Sequence, residues 1–294
     1  MLKIINERLK IYSELTLFPF VIFTLPFALT GAMLAQFTLK GNIIPKPENI
    51  FWIILATFSA RNAGMAANRL IDKDIDARNP RTCDRAMVKG VIKEKEVIIF
   101  IIISIVLFIL SAWMLNPLCL YIAPIPLLLL LLYPAAKRYT WLNHFVLGSV
   151  LFFAPVGGWI AVKGSWDFPA TILGTAVFFW TSGFDIIYDR EDIDFYRKEK
   201  LHSIPQLLGE DGSRILSLVL HFITIFLLAW LPKIAPLGNI YSIGVAVIAI
   251  LIIFCHIFTY KTEVLRTNKT FFWVNSLVSI GFFSFMLMDL IGGK

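Results

Sequence analysis

The chain has 294 residues, of which 58% are hydrophobic and 16% charged, with a formal net charge of +7 and a mean hydropathy of +0.76. Those values exclude a soluble domain and describe an integral membrane protein. The lipid bilayer is therefore an expected partner and nucleic acid is not.

The leading "MLKIINERLKIYSE" is too polar for a signal-peptide core, and no small-residue cleavage site follows the first apolar run. It reads as a short amphipathic lead-in kept in the mature protein. Apolar windows that can cross about 30 Å of hydrocarbon, which takes about 20 helical residues, then recur at 15–37, 50–68, 97–115, 118–136, 142–162, 169–188, 215–231, 240–258 and 271–290. The expected fold class is all-α: a polytopic membrane protein with nine transmembrane helices in one domain over 1–294, helices 1–4 and 5–8 forming a pseudo-repeat and helix 9 added. Cys83, Cys119 and Cys255 are far apart and make no CxxC, which argues against a disulfide framework or a zinc site.

Charge orients these spans. Of the 27 Lys and Arg, 21 fall on one face if the chain alternates, and the positive-inside rule makes that face cytoplasmic, with the amino terminus inside and the carboxyl terminus outside. The same face, with Asp185 at its edge, carries 17 of the 20 Asp and Glu. Orientation alone does not need those acids, because carboxylates contribute little to it. Most of them sit in two long ionic connections, 69–96 after span 2 and 189–214 after span 6, whereas outer connections such as "LPKIAPLGN" are short. Long charged loops are where function concentrates in such a chain.

In "NRLIDKDIDARNPRT" the residues Asn68, Asp72 and Asp76 are spaced i, i+4, i+8, so a continuous helix places all three on one face. In "DIIYDREDIDF" Asp185 and Asp189 repeat the i+4 spacing, and Asp192 stands at i+7 on that side. One such pair at a membrane boundary is usually a solvated helix end; two, on parallel spans and each followed by basic residues, argue for a site. Converging carboxylates repel unless a cation compensates them, and oxygen ligands without Cys or a well-placed His favour magnesium bridged to a phosphorylated substrate. Fixed cations for a diphosphate stand in the same loops, Arg78, Arg81, Arg85, Lys198 and Lys200, and Lys137 and Arg138 follow span 4 in "YPAAKRYT", where they also serve as topogenic anchors. Asp74, Asp84 and Asp194 fall off the ladders and read as solvated or paired. His202 in "LHSIP" reads as ordering its loop, and His144, His221 and His256 read as isolated structural residues.

Arg61 lies inside span 2, seven residues before Asn68 and on its face, about 10 Å deeper at 1.5 Å per residue. An intramembrane Arg costs on the order of 3 kcal/mol even on lenient scales and calls for an anionic partner. Either a structural ion pair or the acidic end of a second substrate below the metal site meets that need.

Three strings, "RNAGMAANRLIDKDIDARNPRT", "YPAAKRYT" and "GFDIIYDREDIDFYRKEKLHSIP", stand in the order found in the UbiA superfamily of intramembrane prenyltransferases, which the chain resembles over nearly its whole length. "NRLIDKDIDARNPRT" and "LHSIP" resemble most closely the 4-hydroxybenzoate polyprenyltransferase-like branch. The resemblance implies a bundle around a central cavity open to lipid, with two Mg2+ at its cytoplasmic end. By position, Asn68, Asp72 and Asp76 correspond to the first metal-diphosphate motif, Asp185, Asp189 and Asp192 to the second, and Arg81, Lys137 and Arg138 to basic diphosphate-binding positions. Arg69 stands where many members carry an acid, and Ala86 and Met87 where Pro-Leu is common. The implied reaction is Mg2+-dependent transfer of a polyprenyl group from its diphosphate to an aromatic acid such as 4-hydroxybenzoate, in quinone biosynthesis at the inner membrane. Haem- or naphthoate-directed transfer is the alternative. An ion-coupled transporter would place its carboxylates near the midplane, and the DGxxAR pattern of CDP-alcohol phosphotransferases is absent.

Overall fold

The computed structural model describes residues 11–16, 18–261 and 264–292; residues 1–10 of the amphipathic lead-in lie outside them. The described residues are helical with no strands, as the hydropathy pattern requires of a chain that must satisfy its backbone inside lipid. The helices are α1 (Leu25–Lys40), α2 (Pro47–Ile71), α3 (Lys73–Arg78), α4 (Glu94–Leu115), α5 (Pro117–Ile122), α6 (Pro124–Ala136), α7 (Asn143–Lys163), α8 (Phe168–Tyr188), α9 (Ile193–Glu199), α10 (Ile204–Trp230), α11 (Asn239–Lys261) and α12 (Val264–Gly292).

Among the described residues, eight spans are long and apolar enough to cross a membrane, and a bent pair, taken as one span, makes a ninth. That bent pair is the first expected span. It is not one straight rod: a 3-10 turn over Phe18–Phe23 meets α1 at a 41° bend, with Pro26 just inside α1. α1 alone, at 16 residues, spans only about 24 Å. The fourth span joins α5 to α6 at Ala123, ahead of Pro124. The seventh begins earlier than hydropathy suggests, at Ile204, and is kinked at Gly209, whose φ of 72° and ψ of −174° are tolerated essentially by glycine alone.

α1, α7 and α8 form the centre. α1 packs on α7, α7 on α8, α8 on α10, and α11 and α12 close back onto α1, while α2, α4 and α6 form the other wall. The α1–α7 crossing depends on two glycines. A Cβ at Gly31 would stand 2.0 Å from the carbonyl oxygen of Pro155, and one at Gly158 would stand 1.9 Å from that of Ala28. Small residues thus let the backbones touch where no hydrophobic force between helices is available. Phe27 stacks against Trp180 and Phe282, at 5.2 and 5.7 Å between ring centres.

α10 is stitched to α8 by a polar stripe. Ser217 donates to Gly183 O (2.7 Å), His221 Nε2 to Trp180 O (3.2 Å) and Thr224 to Ala176 O (3.3 Å). Since His221 Nε2 faces a carbonyl, its Nδ1 accepts from His256 Nε2 at 2.7 Å. The expectation that His221 and His256 are isolated is therefore corrected: sequence spacing hides a pair formed across two helices.

Candidate active site

α2 carries Arg61 and Asn68 to the rim and ends at Ile71, where Asp72 serves as its cap and α3 begins at the next residue. The expected continuous helix is thus bent, yet the bonding continues through the bend. Asp72 N–H donates to Asn68 O at 3.0 Å and Asp76 N–H to Asp72 O at 2.7 Å, which preserves the ladder. Asp72 is 1% exposed; Lys137 Nζ donates to its Oδ2 at 2.6 Å, and Arg138 Nη2 lies 3.6 Å from Oδ1 while donating to Ile71 O at 2.5 Å. Burial pushes the Asp72 carboxyl above its ordinary pKa and outweighs the pull of Lys137. Asp76, also buried, is paired with Arg85.

The second motif ends α8. Asp185 lies in the last turn, and Asp189 opens a 3-10 turn, Asp189–Asp192. His144 of α7, fully buried, binds the first of these: its Nδ1 is 2.8 Å from Asp185 Oδ2, while its Nε2 lies 3.7 Å from Asp189 Oδ2, beyond hydrogen-bond reach. Ile204 N–H donates to Nε2 at 3.4 Å, which leaves Nδ1 to donate to Asp185. His144 is therefore not isolated, a correction with a simple cause: α7 brings it beside residues 41 positions away. Asp192 does not join Asp185 and Asp189 at His144. It turns to the first-motif loop, where Asn79 Nδ2 donates to it at 3.0 Å and Arg81 pairs with it through both Nε and Nη2. Burial pulls the Arg81 guanidinium down, yet its hydrogen bonds to Asp192 and the charge there hold its pKa above the ordinary value. Arg78 and Glu199 add a 2.7 Å bridge between the same loops. Of the off-ladder acids, Asp84 pairs with Lys89 and Asp194 lies 3.8 Å from Arg197.

Among the described residues, no three His, Cys, Asp or Glu side chains form a cluster that holds a metal by itself. Most of the carboxylates are instead drawn to Lys137, Arg85, Arg81 and His144. Two oxygens stand out: Asp72 Oδ1 and Asp189 Oδ2, one on each motif, are buried without a hydrogen-bond partner among the described residues. Lys137 is held on the first of these carboxylates, Asp72. Hard oxygen donors that few in number fit a magnesium ion, which usually takes one or two carboxylates and completes its shell with water and substrate phosphate.

Beneath this rim lies an apolar cavity of about 200 Å³. Along α2 its lining runs from Asn68 down to Ile53, about 22 Å at 1.5 Å per residue. Arg61, Tyr133, Phe108 and Phe153 line it, with Cys119 near its far end. Tyr133 stands one helical turn before Lys137 on the same helix run. Tyr133, His144 and Asn79 are the residues that sequence reasoning missed. The i, i+4 spacing of Tyr133 and Lys137 in "YPAAK" is a signal for the first; nothing local marks His144. His202 orders its loop through its backbone, donating N–H to Lys137 O at 2.7 Å.

With this geometry in hand, comparison with known proteins gives one consistent result. The model of the UbiA prenyltransferase family matches residues 24–277. The 4-hydroxybenzoate octaprenyltransferase of Marinobacter nauticus is 30% identical over 211 residues, 71% of each chain, and that of Shewanella pealeana is 27% identical over 82% of this chain and 83% of its own. Among solved structures, a UbiA homologue from Aeropyrum pernix K1 superposes with a TM-score of 0.81 at 33% identity, covering 92% of this chain and 97% of that one. A UbiA homologue from Archaeoglobus fulgidus bound to GPP and Mg2+ shares the fold, with a TM-score of 0.69 at 18% identity over 94% of this chain and 99% of that one.

Proposed function

The chain belongs to the UbiA prenyltransferase family, and from that premise we propose that it transfers a polyprenyl group from an allylic polyprenyl diphosphate to 4-hydroxybenzoate or a related aromatic acid, in quinone biosynthesis. The observation that carries this reading is the cavity: an apolar slot lined by Asn68 and Tyr133 at its upper end, beside two carboxylate motifs that Asn79 and Arg81 join through Asp192. A prenyl tail fits the slot and a diphosphate fits the rim.

Asp72 and Asp189, each with a buried unpartnered oxygen, and with them Asn68, Asp76, Asp185 and Asp192, are the residues assigned to Mg2+. Mg2+ bound there would supply Lewis-acid neutralisation of the diphosphate leaving group. Lys137, Arg138 and Arg81 bind phosphate oxygens and orient the C–O bond that breaks. Apolar walls exclude water from the allylic cation, and the rings of Phe108, Phe153 and Tyr133 offer it their π faces. Arg61, about 10 Å below Asn68 in the same cavity, holds the acceptor carboxylate, so that an electron-rich ring carbon meets the cation and proton loss restores aromaticity. The excess of Lys and Arg on the rim supports a multi-pass protein of the inner membrane with its amino terminus and active site on the cytoplasmic side.

The test is direct. Purified protein is incubated with geranyl, farnesyl and longer diphosphates and a panel of aromatic acids, with Mg2+ or EDTA, and products are identified by mass. A prenylated aromatic acid formed only with the metal supports the reading. A prenylated haem or naphthoate in its place moves the acceptor assignment, and no diphosphate release from any donor refutes the chemistry.

A further inference from the structure

The turn that carries the second motif is a weak element by its own chemistry. A four-residue 3-10 helix has poor hydrogen-bond geometry, and Asp189–Asp192 places three acids in four residues, Asp189, Glu191 and Asp192, which repel one another. The exception is Arg190. It stands between Asp189 and Asp192, yet its side chain is 4% exposed, and its Nη2 donates to Glu210 Oε2 at 2.7 Å. Glu210 is itself steadied by Arg214, whose Nη2 lies 3.3 Å from the same oxygen, and Ser213 Oγ donates to its carbonyl at 2.8 Å. It directly follows Gly209, the residue at which α10 kinks.

We infer that Arg190, Glu210 and Gly209 form a positioning clamp: Arg190 anchors the 3-10 turn to the kink of α10 and so fixes the direction in which Asp189 presents its unpartnered oxygen. The clamp is the counterpart of the bridge on the other flank, where Asn79 and Arg81 hold Asp192. Asp192 is tied through its own carboxylate, which therefore has less to offer a ligand. Asp189 is anchored through its neighbour as well as by a hydrogen bond from Tyr196, and its Oδ2, 3.7 Å from His144 Nε2, keeps no hydrogen bond among the described residues. A guanidinium in this place immobilises the segment without occupying the acceptor that matters. This inference rests on the assignment of Asp189 to the metal-diphosphate site.

Three variants isolate the clamp. Glu210→Gln removes the charge that holds Arg190. Gly209→Ala introduces no clash, because nothing lies within 4 Å of its added Cβ, and acts only through the disallowed φ. Arg190→Lys keeps a cation at the site. Hydrogen–deuterium exchange of the full-length protein in detergent, without metal or substrate, reads the segment itself. Exchange over 189–199 should rise about tenfold in Glu210→Gln and Gly209→Ala, stay within about threefold of wild type in Arg190→Lys, and remain unchanged in α11. Mn2+ titrations followed by EPR, with a prenyl S-thiolodiphosphate present, should show affinity weakened about tenfold in the first two variants and near wild type in the third. Exchange within twofold of wild type in both variants, or a rise spread evenly over all helices, overturns the clamp. If wild type takes up no Mn2+ while the exchange pattern holds, the metal assignment fails and the clamp stands as the anchor of the turn.

Discussion

Lys137→Ala separates a metal-diphosphate rim from a rim that is merely charged. Lys137 is 15% exposed and Asp72 1%, so truncation leaves a desolvated carboxylate with only Arg138, 3.6 Å from its other oxygen. Orphaning one partner of a buried pair costs about 3–5 kcal/mol. Protonation sets a ceiling, because neutralising a carboxyl of ordinary pKa about 4 at pH 7 costs about 1.4 kcal/mol per unit, or about 4 kcal/mol. Arg138 reduces this, and about 3 kcal/mol is expected. For a chain of this size that lowers the melting midpoint by about 6 °C. The sign with pH follows from the direction of the shift: the folded-state pKa of Asp72 is raised, so its stabilising contribution is present below the unfolded pKa and lost as pH rises through the folded one. The assay is thermal unfolding of EDTA-treated variant and wild type in detergent at pH 7.5 and pH 5, then at pH 7.5 with Mg2+. The deficit should be largest at pH 7.5 and should shrink as the pH is lowered to 5, which favours the neutral acid, and with the metal, which compensates the charge. A deficit insensitive to both would show that Lys137 contributes packing rather than charge to the rim.

Asp72→Asn and Asp185→Asn each keep shape and remove a ligand charge, so Mg2+-dependent turnover should fall at least about a hundredfold with the helical circular dichroism unchanged; wild-type rates in either would remove that residue from the site. Arg61→Leu should abolish prenylation of 4-hydroxybenzoate while sparing donor binding and a neutral phenol of the same shape. Equal loss for both acceptors with a lowered melting point would assign Arg61 to a structural ion pair. Gly158→Ala, whose Cβ would stand 1.9 Å from the carbonyl of Ala28, should destabilise the α1–α7 crossing by more than about 2 kcal/mol, as overpacking against backbone does; a melting point within 1–2 °C of wild type, about the scatter of the method, would show that the helices can part without cost.

Much of this protein is written in patterns that need no third dimension. Span number follows from hydropathy because lipid forces the backbone to satisfy itself within each segment. The ladder of Asn68, Asp72 and Asp76 follows from helical periodicity, which survives even the bend at Asp72. What stayed hidden depends on contacts between elements. His144 gives no local sign that it will meet Asp185, and His221 and His256 belong to different helices. Asp192 is on the ladder face by spacing, but the 3-10 turn changes the pitch from 3.6 to about 3 residues per turn and swings it toward Asn79. The kink at Gly209 was invisible for the opposite reason: hydropathy places the start of that span at 215, beyond the residue that bends it.

The bridges over the rim also order events in time. Asn79 to Asp192 and Arg78 to Glu199 join residues 113 and 121 positions apart, with four membrane spans between them. During synthesis the first acidic segment reaches water long before either partner exists, and it waits there with its carboxylates held only by nearby cations such as Arg85. A ribosome adding about 5–20 residues per second leaves it in that state for on the order of ten seconds. The rim is therefore tied together late, when α9 is laid down, and a chain truncated before Asp192 would carry six spans but neither bridge.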